Sequence, residues 1–180
     1  VMFTGPSKWP FGWAGKQRYI IENLPEALDA PGEWYLYRQP GVLAVIPVGD
    51  EDLSRATVVA PVATQLLLLN GDPDAEQFVE HLHFEGLSFQ HAEWPLPPEG
   101  HGDWQAAVTV NAALQARGAR DCSIERCEVA HVGGYAIWFE RGCTNNLIVQ
   151  NHLHDLGAGG VRIGEAGIAQ TESAATGGNV

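Results

Sequence analysis

Positive charge is scarce in this sequence. Ten Lys and Arg stand against 22 Asp and Glu in 180 residues, a formal net charge of -12 at pH 7. A basic footprint for nucleic acid is therefore absent, and a polyanionic substrate would meet a repulsive mean field. Long apolar runs are missing too. The longest leucine run, Leu66 to Leu69, is strand-sized and far short of a bilayer span. Cysteine is limited to Cys122, Cys127 and Cys143, an odd count without the paired spacing of a zinc ribbon. The three read as small buried hydrophobes. Val1 leads into no charged-then-apolar stretch, and the opening reads as a cut through a longer chain. The compartment is therefore not written in these residues. Secretion or a periplasmic location is the expectation only if a longer parent carries a signal peptide.

What is present is glycine (21), proline (11) and a 45% hydrophobic share, enough for a core but broken by many turns. Residues 1–56 read as an N-terminal appendage. It opens with an irregular aromatic segment. A short helix is expected over Glu22 to Asp29, ended by Ala30-Pro31-Gly32. Two β-rich runs around Gln39-Pro40-Gly41 form a hairpin after it.

After residue 110 the chain repeats itself at an offset of 24. Gly118 falls on Gly142, Ile124 on Ile148, Cys127 on Asn151, Val129 on Leu153 and Gly133 on Gly157. Ile137 likewise falls on Val161 and Phe139 on Ile163. An earlier turn fits at an offset of 40, with Phe84, Leu87, Phe89 and His91 over Ile124, Cys127, Val129 and His131. The excess is the Pro/Gly-rich loop "WPLPPEGHGDW". One such repeat cannot bury its inward face, whereas stacked repeats bury a continuous column. The expected fold is all-β: a right-handed parallel β-helix of about 24-residue coils over 57–165. Residues 166–180 are expected as a loop or tail leading to a missing coil, so that the whole is a truncated solenoid able to self-associate through an open C-terminal end. A β-sandwich is the alternative, but it would place hairpin turns every 8–12 residues.

"RYIIENLPEALDAPGEWYLYRQPGVL", "HLHFEGLSFQHAEW" and "NHLHDLGAGGVRIGE" resemble right-handed parallel β-helix proteins with a pectin-lyase-like fold, and more narrowly the carbohydrate-active set around glycoside hydrolase family 141. The likeness spans roughly Arg18 to Glu165. It implies cleavage of glycosidic bonds by acidic residues on the outer surface. Two departures lie in the appendage, where Tyr37 replaces a usual aspartate and "LAVIP" a tyrosine-bearing strand. The chain is also shorter than such proteins normally are.

The offsets place His91, His131 and Asp155 on one column. A histidine beside a carboxylate supports general acid–base work. Asp155 is the first catalytic candidate, with His131 beside it. Glycoside hydrolysis usually wants two carboxyl groups, and Glu165 is the second. Arg162 is placed to bind a sugar hydroxyl or orient Asp155, and His91 to contact substrate. The structural alternative is that His131 and Asp155 cap their corners through backbone amides. Trp94 and Trp104, read as exposed beside acids, suit stacking on sugar rings or tucking the loop down. His81/His83 and His152/His154 are spaced i, i+2, each pair on one strand face. Two imidazoles can begin a zinc or copper site, but no third ligand is fixed by spacing. They read as a solvated face, so neither metal nor cofactor is assigned. The glycines of "GAGG" read as corner residues with φ > 0. The leading expectation is a hydrolase acting on a neutral glycan, with a non-catalytic carbohydrate-binding or spacing module and a polysaccharide lyase as alternatives. The scarcity of cations on the candidate face weighs against the lyase.

Overall fold

The computed structural model describes residues 15–16, 22–103, 105–165 and 175–180. These fall into two compact units divided between Val59 and Ala60.

In the first unit, the strands β1 (Trp34–Tyr37) and β2 (Val42–Val45) pair antiparallel around the Gln39-Pro40-Gly41 turn. The helix expected over Glu22 to Asp29 is not there. Its place holds a single 3-10 turn, Pro25–Ala27. The reason is local. Leu24 precedes a proline, which disfavours the helical region, and it is extended at φ -112°, ψ 128°.

The second unit is built of short strands with very little helix. In chain order they are β3 (Leu67–Asn70), β4 (Val79–Glu80), β5 (His83–Glu85), β6 (Ser88–Ala92), β7 (Ala112–Arg117), β8 (Ala119–Arg120), β9 (Ser123–Glu125), β10 (Glu128–Val132), β11 (Tyr135–Phe139), β12 (Leu147–Val149), β13 (His152–Leu156) and β14 (Val161–Ile163). Every strand pair among them is parallel, and the sheet orders are β3-β7-β11-β14, β4-β8, β5-β9-β12 and β6-β10-β13. Each sheet thus takes one strand from each successive repeat.

The registers match the sequence offsets. Phe84–Ile124–Ile148 and Phe89–Val129–Leu153 line up, as do Ile137–Val161 and Phe139–Ile163. Phe84, Phe89, Ile124, Val129, Ile137, Phe139, Ile148 and Leu153, with Leu69 and Leu114, build the core, in which Val129, Ile137 and Phe139 are fully enclosed, whereas Val161 and Ile163, expected to face inward, are exposed on the last strand. One slip occurs, where β11 pairs with β7 at an offset of 23 rather than 24. Glu140 and Arg141 take up the extra residue before Gly142.

Two features fix this stack. Left-handed backbone recurs in columns: His81, Asp121, Asn145 and Gly178; Gly86, Arg126 and Gln150; His91, His131 and Asp155. Asn, Asp and His are the side chains that tolerate this region best after glycine. An asparagine clamp also recurs. Asn146 accepts the Cys122 N–H at 3.0 Å and donates to the Ala119 carbonyl at 2.9 Å. Asn151 does the same to Cys127 and Ile124, both at 2.8 Å. Asn179 accepts from Asn146 N–H at 3.1 Å and donates to the Cys143 carbonyl at 3.0 Å. Each clamp ties a corner to the repeat before it. The three cysteines are free and buried, and burial pushes the Cys143 thiol up to about 11. Among the described residues no helix is long and apolar enough to cross a membrane.

Candidate functional site

On β6, β10 and β13 alternate residues turn inward, so Phe89, Val129 and Leu153 join the core. The outward positions stack as Ser88–Glu128–His152 and Gln90–Ala130–His154. Ala130 sets the shape of this face. Its methyl leaves a shallow gap on the sheet, and its neighbours close over it. Glu128 Oε1 lies 3.2 Å from His154 Nε2, diagonally across the strands. Glu128 Oε2 accepts from Ser88 Oγ at 2.7 Å and from Gln90 Nε2 at 2.5 Å. The other nitrogen of His154, Nδ1, meets Asp155 Oδ2 at 3.0 Å. The His152 ring stacks on that of His154 with centroids 4.3 Å apart.

Immediately beyond lies the left-handed column. The His91 and His131 rings stack at 5.1 Å, and His131 Nδ1 is 3.4 Å from Asp155 Oδ2. These three side chains stand together, where the sequence offsets place them. Among the described residues the Asp155 carboxylate meets imidazoles, not the backbone amides a corner cap requires. Left-handed backbone nevertheless favours His and Asp at these positions on its own account. Glu128, His152 and His154 have no such requirement, since none of them is left-handed. Their polar identity on this face is not dictated by backbone geometry.

The electrostatics arise from the contacts. Hydrogen bonds from Ser88, then His154 and Gln90, hold the Glu128 carboxyl down at about 2. Hydrogen bonds to Glu128 and then Asp155 raise the His154 imidazole above its ordinary value. Both ring nitrogens face carboxylate oxygens, and both can donate only when the ring is protonated. The site thus pairs a firmly ionised carboxylate with an imidazole held more basic than usual. Glu128, His152 and His154 also present three metal-donor atoms within 4.8 Å of one another. The solvated-face reading of His152 and His154 overlooked that third donor. The signal was there: the offset of 24 sets Glu128 over His152 and tiny Ala130 over His154.

Glu165 and Arg162 belong elsewhere. The Arg162 guanidinium lies over the Trp138 ring at 3.7 Å, so it does not orient Asp155. Glu165 comes after β14, one strand further round the repeat than Asp155, and acts electrostatically on Glu140. A strand and a glycine corner intervene between Asp155 and Glu165. Glu140 is a second residue that the sequence reading missed. Burial, and then the Glu165 charge among the other influences, raises its carboxyl above the usual range, while Gln115 Nε2 donates to it at 2.5 Å.

Trp94 is half-buried rather than exposed. Its ring meets that of His101 edge-to-face at 4.7 Å, and its backbone packs on Gly133, where an added Cβ would come within 2.6 Å of the Trp94 nitrogen. It fastens the loop to the stack. Trp104 lies outside the described residues. The glycine run also has a different cause from the one expected. Gly157, Gly159 and Gly160 do not adopt positive φ. A Cβ at Gly157 would strike the Gly133 carbonyl, and one at Gly159 the Tyr135 ring. Close approach between successive repeats excludes side chains there.

No protein-family model, curated protein or solved structure matches the chain.

Proposed function

We propose that the unit from Ala60 onward is a right-handed parallel β-helix acting as a glycoside hydrolase on a neutral glycan, with Glu128, His154 and Asp155 as its working groups. The observation that carries the reading is the two-sided contact of His154 with Glu128 and Asp155 on one outward sheet face. Registers that recur at one offset through several parallel sheets support the β-helix. Parallel crossovers are right-handed in nearly all proteins, which supports the hand. The resemblance of the quoted segments to glycoside hydrolase family 141 supports glycosidic cleavage.

In this reading His154 donates a proton to the leaving glycosidic oxygen as its bond to the anomeric carbon breaks, and a water then gives its hydroxyl to that carbon and its proton back to the site. Glu128 stays ionised and holds the ring, and Asp155 faces the sugar as the second carboxylate. His91 and His131 extend the surface under the neighbouring ring. The β6-β10-β13 face and its left-handed column contain no Lys or Arg. A uronate carboxylate would go unneutralised there, which argues against a lyase. A non-catalytic glycan-binding module is the second reading. The left-handed backbone of His91, His131 and Asp155 favours it, because it accounts for those residue types without catalysis.

A panel of neutral glycans and polyuronates tests all three readings. Reducing ends released from a neutral glycan without ultraviolet absorbance support the hydrolase. Unsaturated products support the lyase. Saturable binding without product supports the binding module.

A further inference from the structure

His152 and His154 alone are two ligands without a third. Parallel register supplies it from the preceding repeat. We propose that Glu128, His152 and His154 bind a divalent first-row transition-metal ion of the zinc class. Ligand atoms about 2.0–2.1 Å from zinc at tetrahedral angles lie roughly 3.3 Å apart. Glu128 Oε1 and His154 Nε2 are 3.2 Å apart, and all three donor atoms fall within 4.8 Å.

The surroundings are those of a supported site. Asp155 Oδ2 engages His154 Nδ1 at 3.0 Å, the carboxylate–histidine arrangement that turns the opposite nitrogen toward a metal. Ser88 and Gln90 both hold Glu128 Oε2, which leaves Oε1 to serve as ligand. Two imidazoles and one carboxylate suit zinc, nickel or copper(II), whereas calcium and magnesium seek oxygen ligands. His152 is exposed, so an ion can enter from solvent. Three protein ligands leave a coordination position open to water or a substrate oxygen. The proposal is separate from the glycan reading and excludes His154 as its acid while an ion is bound, because Nε2 then carries the ion and not a proton; it is tested without any substrate.

The test is calorimetric titration of the chelator-treated chain with zinc chloride. One saturable ion per chain is expected. Asp155→Asn acts only through His154 and should weaken binding about 10–100-fold. His154→Ala and Glu128→Gln should weaken it more, and His83→Ala should leave it unchanged. Should a variant fail to fold, imidazole 15N shifts of the wild-type chain decide instead: zinc should move His152 and His154 and leave His83 in place. Absence of zinc binding by the wild-type chain would overturn the proposal. So would binding retained in folded His154→Ala, or shifts confined to other histidines.

Discussion

Glu128 and His154 meet across Ala130, Oε1 to Nε2 at 3.2 Å, though 26 residues separate them in the chain. The contact depends on a fully enclosed alanine between two longer neighbours. Ala130→Leu would fill the gap and force the pair apart. Overpacking of this kind costs about 1–3 kcal/mol. The variant should remain folded by circular dichroism and lose the affinity for zinc.

If the chain hydrolyses a neutral glycan, Glu128→Gln and Asp155→Asn should each lower kcat by at least about 10²-fold, the lower range for losing a positioned acid or base. The comparison to make is kcat on one glycan with near-equal melting temperatures. Full activity in folded Asp155→Asn would remove that carboxylate from the reaction. Unfolding would assign it to the corner instead.

The asparagine clamps give a stability prediction. Asn146 is 1% exposed and satisfies the Cys122 N–H and the Ala119 carbonyl at once. Asn146→Ala strands both groups, at about 1–3 kcal/mol each. Chemical denaturation should show a loss on the order of 3 kcal/mol. Asn151→Ala should lose less, since Asn151 is only half-buried and water can reach its partners.

Glu140 sets a pH dependence. Its folded carboxyl lies above the ordinary range, chiefly through burial, with Gln115 hydrogen-bonded to it and Glu165, Arg117 and Arg162 nearby. A raised carboxyl favours the folded state below its unfolded pKa, and that contribution fades as pH rises through the folded value. Glu140→Gln keeps the hydrogen bond to Gln115 available and removes the charge. Melting temperatures measured from pH 4 to pH 8 should fall less steeply for this variant on the alkaline side. Identical profiles would show that Glu140 titrates as an ordinary surface acid.

Much of the stack was legible because one offset aligned apolar residues, glycines and the Cys127–Asn151 pair together. The His91–His131–Asp155 column came from the same arithmetic. Glu128 escaped because outward charges on a strand usually mean solvation. Only the diagonal reach over Ala130 makes this one a partner. Glu165 stands one strand further round the repeat than Asp155, as the sequence placed it, and its charge there acts on Glu140. The helix over Glu22 to Asp29 failed at Leu24-Pro25, a boundary visible in the sequence itself. The glycine run misled because the sequence does not distinguish a need for positive φ from a lack of room. That lack of room makes Gly157→Ala a test of its own. Its methyl would meet backbone, not a yielding side chain, so a loss of about 3 kcal/mol is expected by denaturation.

The excursion between β6 and β7 changes the chain offset from 24 to 40, yet Phe89–Val129 and Val129–Leu153 keep the same parallel register. Contour length at that corner is therefore decoupled from the geometry of the stack. Trp94 on Gly133 pins one foot of the excursion, and Asp103, accepting from Thr109 N–H and Oγ1 at 3.0 and 2.6 Å, ties its return. The crest between them, where Leu96 is 67% exposed, is a natural splice point. Foreign peptides grafted there would project from the sheet edge without disturbing its rungs, which makes the unit a display scaffold as well as a candidate enzyme.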